Sequence, residues 1–178
     1  MPYITQPHRK LEFHGSDNQL NIAAEIIHGV TDDATKAQDA RDFLSYLIDG
    51  VYGEPCFDHS RTMAFMVSIP LLACANFLIN NIVTIHNNEG GREGLLNYTL
   101  TRFFNEAYPS ARYKDYNAIS GILGSLLHLS HPGNIEVLGM LACCRDEYYR
   151  KYAAPYEDQK EALNGAVERP DAPPASSY

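Results

Sequence analysis

The apolar residues Ala40, Phe43, Leu44, Leu47, Ile48 and Val51 recur at intervals of three and four. That spacing lays them along one side of a helix, and it does not suit a strand, whose side chains alternate between faces. The same pattern returns at Leu20, Ala23, Ala24 and Ile27, at Leu96, Leu100, Phe103 and Ala107, and at Ile119, Ile122, Leu123, Leu126 and Leu127. It closes with Val137, Leu141, Cys144, Tyr148 and Tyr152, and no convincing strand alternation interrupts it. A helix with one apolar stripe must bury that stripe against others like it. The chain therefore reads as an all-α, single-domain helical bundle of about six or seven helices.

Local signals divide the helices. Ser16-Asp17-Asn18-Gln19 has the form of a capping box, and Gly29 can stop the helix that follows. Gly53 and Pro55 end the second stripe, Gly90-Gly91 separates two helices, and Pro109 closes another. His131-Pro132-Gly133-Asn134 reads as a turn that also supplies a cap, and Pro155 suits the first turn of a short helix ended by Asn164-Gly165. Residues 1–15, with Pro2, Pro7 and Gly15, read as an extended arm on a helical domain that runs to residue 165. Residues 166–178, with Pro170, Pro173 and Pro174, read as a flexible tail. Gly121 and Gly124 suggest a face for close helix contact.

From Met63 to Ile85 the chain is mostly apolar and nearly long enough to cross a bilayer. Ser68, Pro70, Asn76, Asn80, Asn81 and Thr84 interrupt it, and amides are costly in hydrocarbon. The expectation is a buried helix at the centre of the bundle, capped by Asp58 or Ser60 and kinked at Pro70.

Charge narrows the function. The chain carries 22 acidic and 14 basic residues, a net charge of -8, which disfavours a long nucleic-acid track. The four cysteines form no C-x-x-C pair, and no apolar leader opens the chain, so a reducing host cytoplasm is expected, with no membrane.

Catalytic patterns are sparse. Asp58-His59 is the dipeptide that His/Asp phosphohydrolases use at a metal, with His28, His86 or His128 as distant partners, but helix capping explains Asp58 more simply. The pair His128 and His131 lacks further ligands. Asn88 to Gly94 is glycine-rich but lacks the phosphate-loop lysine, and no G-x-S-x-G elbow is present. No catalytic residue, no metal and no cofactor is expected.

Aromatic and polar residues instead gather toward the carboxyl end. Asn97 and Thr101 stand four apart, as do Tyr98 and Arg102; Arg145, Tyr148, Arg150, Tyr156, Glu157 and Lys160 continue the theme. Tyrosine offers a flat ring with a polar tip and arginine adds anion binding, which suits a ligand or a subunit. If Pro155 bends the chain, the last helix folds back and Glu157 meets Arg150, joining these residues to Asn97, Tyr98 and Thr101 in one surface. The alternative is that they staple the last helices to the bundle.

Several segments carry a resemblance. These are Met1-Pro2-Tyr3-Ile4, Leu96-Asn97-Tyr98-Thr99-Leu100-Thr101, Glu136 to Leu141, Glu147-Tyr148-Tyr149-Arg150-Lys151, Pro155 to Lys160 and Asn164-Gly165. In this order they resemble a family of small uncharacterised proteins found in bacteriophage and bacterial genomes. Lys151 stands where that family has a second arginine, and most of residues 11 to 90 has no counterpart. The resemblance implies a phage setting and carries over no catalytic residue. The expectation is thus a non-enzymatic, phage-associated helical binding protein, homo-oligomeric, that sequesters or blocks a host molecule such as an immune signalling nucleotide or a host protein. A virion or assembly component and a metal-dependent phosphohydrolase are the alternatives.

Overall fold

A computed structural model describes residues 16–58, 68–109 and 113–165. The stripes read from the sequence form helices that turn them inward: α1 (Ser16–His28), α2 (Asp33–Tyr52), α3 (Ile69–Glu89), α4 (Arg92–Ala107), α5 (Tyr113–Leu129), α6 (Ile135–Tyr148) and α7 (Ala154–Asn164). A π-helical turn, Tyr149–Ala153, joins α6 to α7 without a break. The fold is all-α, and the seven helices run as six rods among the described residues. The arm at 1–15, the tail at 166–178, and Ser60, Met63 and Phe65 lie outside them.

Helix α4 holds the centre. It packs on α1, α2, α3 and α6, and buries Leu95, Leu96, Leu100, Phe103, Phe104 and Ala107. Phe103 stacks on Phe43 of α2 with ring centroids 5.1 Å apart, and Phe104 meets Tyr148 of α6 edge-on at 5.8 Å. The one buried hydroxyl on α4, Thr99, donates to the Leu95 carbonyl at 2.8 Å, so it enters the core satisfied.

The long apolar helix is not the centre. Helix α3 buries only Leu71, Cys74, Ala75, Leu78 and Ile82, against α1 and α2, and leaves Ile69 83% exposed. Asn76, Asn80 and Thr84 stay on the exposed side, and among the described residues the neighbours cover the other side alone. Pro70 does not kink α3; it sits in the first turn, where its missing amide would have had no partner, behind Ser68 at the cap position. Asp58 instead donates its amide to the Leu129 carbonyl at 2.7 Å. Ser16 already lies within α1, and its hydroxyl accepts from the Asn81 amide at 2.8 Å.

Close helix contact falls at a different glycine. A Cβ on Gly121 or Gly124 would meet nothing, whereas one on Gly50 would lie 2.9 Å from Cγ1 of Ile79 and closer still to its Cδ1. Gly50 thus lets α2 and α3 approach.

At the other end, Pro155 opens α7 as expected, but the chain does not fold back. The proline ring would strike the carbonyl four residues earlier. The helix widens by one residue, with the Ala154 amide reaching the Tyr149 carbonyl, and continues. Helix α7 packs principally on this π turn and buries none of its residues.

Candidate functional site

Three helix ends meet at one place: the end of α2 and the starts of α4 and α6. The loop after α2 is sewn to the turn before α6. Gly53, left-handed at φ 73°, donates to the Asp49 carbonyl at 2.9 Å, and the Asp49 carboxylate accepts the Cys56 amide at 2.7 Å. The Cys56 carbonyl accepts the His131 amide at 2.9 Å, and the Asn134 side chain donates to the Cys56 sulfur at 3.3 Å. Asn134 also caps α6 by accepting the Val137 amide at 3.3 Å, as its turn predicted. Gly90 and Gly91, at φ 77° and 83°, swing the chain from α3 into α4 and bring Arg92 to the junction.

Between these ends lies an open cleft of about 530 Å³, lined by Tyr52, Glu54, Arg92, His131, Asn134 and Glu136 among others. The Arg92 guanidinium lies 3.9 Å over the centre of the Tyr52 ring, a cation–π arrangement. Its Nη2 donates to Glu136 at 2.6 Å, which holds the Glu136 carboxyl below the usual carboxylate range. Its Nε is 3.7 Å from Glu93, too far for a hydrogen bond. Two donors at this junction, Arg92 Nε and the Tyr52 hydroxyl, are buried and have no hydrogen-bond partner among the described residues. Burial pushes the Tyr52 hydroxyl up to about 12, so it stays a neutral O–H donor at physiological pH. The Nδ1 of His86, near the end of α3, is unpartnered as well.

The residues singled out from the sequence fall into two groups. Tyr148 is 2% exposed; it extends the apolar stripe of α6 and therefore turns into the core, so it is not available to stack on an external ligand. Its hydroxyl donates to the Thr101 carbonyl at 2.8 Å and to Asn105 at 3.1 Å, while Thr101 donates to Asn97 at 3.3 Å. Asn97, Thr101 and Tyr148 thus line one seam between α4 and α6, and Tyr98 packs half-buried against the core. Arg145, Arg150, Tyr156, Glu157 and Lys160 are exposed along the rod of α6, the π turn and α7. Arg150 grips both Glu147 oxygens at 2.8 and 2.9 Å, and Glu157 accepts the Tyr149 hydroxyl at 2.7 Å. The straight path through the π turn keeps α7 beside that turn, so the expected single surface built by folding back does not form.

Other chemistry is limited. Burial pushes the thiols of Cys56 and Cys144 up to about 12, and Cys143 is exposed. Among the described residues no three of His, Cys, Asp and Glu converge to hold a metal ion, and His59 lies outside them.

Sequence reasoning passed over Tyr52, Arg92 and Glu136. The local cue was Gly90-Gly91 before Arg92, read only as a break between two helices. Their convergence depends on contacts across 44 residues, as between Arg92 and Glu136.

Fold and cleft together define an all-helical domain with a polar recess where three helix ends meet. Residues 127–167 match a protein family described as a domain of unknown function (DUF6899), less than a quarter of the chain. The match takes in His131, Asn134 and Glu136 of the cleft and the whole rod from α6 to α7. No curated protein and no solved structure matches the chain.

Proposed function

We propose that this protein works by binding rather than by catalysis, and that it sequesters a small polar host molecule in the cleft between Tyr52, Arg92 and Glu136. The phage setting rests on the resemblance of the carboxyl-terminal segments. The observation that carries the binding role is the pair of unpartnered buried donors, Tyr52 Oη and Arg92 Nε. Each unpaired buried donor costs about 1–3 kcal/mol, an expense that a ligand's acceptor removes. Glu136 holds Arg92 through Nη2, and an ion pair this exposed contributes about 0–1 kcal/mol, so the acid group of a ligand can displace Glu136 there at little cost.

Charge selects the ligand class. Glu54 and Glu136 line the cleft together with Arg92, and Glu93 lies 3.7 Å from the Arg92 Nε, so a polyphosphate meets repulsion while one carboxylate or one phosphoryl group does not. A ligand with one acidic group and a planar polar body fits best, since Tyr52 and Arg92 present a stacked pair.

The test is a thermal-shift panel of monocarboxylates, nucleoside monophosphates, cyclic dinucleotides and nucleoside triphosphates. A singly charged compound should raise the melting temperature of the wild type and leave Arg92→Gln and Tyr52→Phe unmoved. Without ligand, Tyr52→Phe should melt within about 1 kcal/mol of wild type, because it removes an unpaired hydroxyl. If a compound stabilises all three proteins equally, or only triphosphates act, the cleft is not the site described.

A further inference from the structure

Helix α3 carries two opposite faces, and only one is packed among the described residues. Leu71, Cys74, Ala75, Leu78 and Ile82 face α1 and α2. On the far side, Ile69, Ala73, Asn76, Phe77, Asn80 and Thr84 are exposed, and their spacing of three, four and seven places them on one strip. Ile69 is 83% and Phe77 40% exposed. By length and composition α3 would cross a membrane, yet only 28% of its most apolar 18-residue window is buried. It is not the buried core helix that such a composition usually marks.

Charge is what sets the strip apart. No Asp, Glu, Lys or Arg occurs from Ile69 to Asn88, in a chain that is 20% charged. The chain as a whole carries -8, so two copies repel one another through most orientations. The strip is where they approach without charge meeting charge, and interface cores are depleted in charged residues in the same way. Asparagine has donors and an acceptor in one group, so Asn76 and Asn80 can pair with their own copies across a two-fold axis. Tyr46 donates to Asn76 Oδ1 at 3.0 Å and steadies that side chain.

We propose that the α3 strip is an isologous contact between two copies of this chain, with the two α3 helices antiparallel and Phe77 near the axis. This goes beyond the ligand cleft and does not depend on it. A lipid surface is the less suitable occupant. A membrane-surface helix draws affinity from basic residues along its polar face, whereas this net charge is repelled by anionic lipid, and two asparagines sit mid-strip. The strip is roughly 23 Å long and 10 Å wide, well below the roughly 800 Å² per partner of a standard interface. The dimer is accordingly weak and concentration-dependent.

Sedimentation equilibrium of the full chain, from about 5 to 500 µM, reads this directly. The wild type should pass from monomer to dimer, and added salt should favour the dimer by screening the net charge. Ile69→Lys, at an 83% exposed position, should weaken association at least about tenfold with melting unchanged, and Phe77→Glu should weaken it as much while the monomer still unfolds cooperatively. Leu163→Glu, at a position on α7 about as exposed as Ile69, should leave it intact. A wild type that stays monomeric throughout overturns the proposal, whether the strip is bare or covered by other residues of the chain. So does a dimer indifferent to both α3 variants, or flotation of wild type with neutral vesicles that Phe77→Glu abolishes.

Discussion

The Tyr148 hydroxyl donates to the Thr101 carbonyl at 2.8 Å, linking α6 to α4 across 47 residues. That carbonyl lies within a helix, and its second lone pair is what Tyr148 uses. The same hydroxyl reaches Asn105 at 3.1 Å, and Asn105 also accepts from Tyr152 at 3.4 Å. Tyr148, read from sequence as part of a ligand or subunit surface or else as a staple of the last helices, is a bolt between helices, with its ring stacked on Tyr152 at 5.5 Å.

Removing that bolt should cost stability. Tyr148→Phe keeps the ring and loses bonds made in a buried place, so urea denaturation should show a loss of about 1–2 kcal/mol. Arg150→Ala, which breaks an exposed pair with Glu147, should lose no more than about 1 kcal/mol. Equal losses would mean that the seam between α4 and α6 is not closed as described.

Gly50 should behave as a packing position rather than a helix breaker. Alanine at an ordinary helical glycine stabilises by about 0.5–1 kcal/mol. Here the added Cβ meets Ile79, and Gly50→Ala should instead destabilise by about 1 kcal/mol. Ile79→Ala opens the space, so the double variant should be more stable than the two single losses predict, with a coupling above about 0.5 kcal/mol. Additive losses in the same denaturation series would show that α2 and α3 do not touch there.

Alkaline pH should reveal the buried thiols. Desolvation raises the Cys144 thiol from its ordinary 9.0 to about 12. The folded form therefore keeps a proton that the unfolded form releases. Stability from this group is complete below about pH 9 and declines as pH rises toward 12, by about 1.4 kcal/mol per unit once the unfolded thiol has ionised. Denaturation at pH 8, 10 and 11 should show that slope, and Cys144→Ala should make it shallower. At pH 8 the exposed Cys143 should react with a thiol reagent while Cys144, fully buried, stays protected.

Helix identity was legible because it is local. The spacing of Ala40, Phe43, Leu44, Leu47, Ile48 and Val51 specifies a helix with one inward side, and all six are buried in α2. Stops and caps at Gly53, Asn134 and Pro155 were equally local, since each acts on backbone groups within one turn. Tertiary structure alone decided how many sides of a helix are covered. Asn76, Asn80 and Thr84, four apart, mark the side of α3 that stays exposed, yet the length of the apolar run suggested a centre that α4 in fact occupies. The same holds for the cleft. Tyr52, Arg92 and Glu136 belong to three helix ends whose local sequences read only as boundaries. Periodicity reports the direction of a side chain relative to its own axis, whereas a site depends on how separate axes are placed, and that placement is set by the summed packing of every stripe in the bundle.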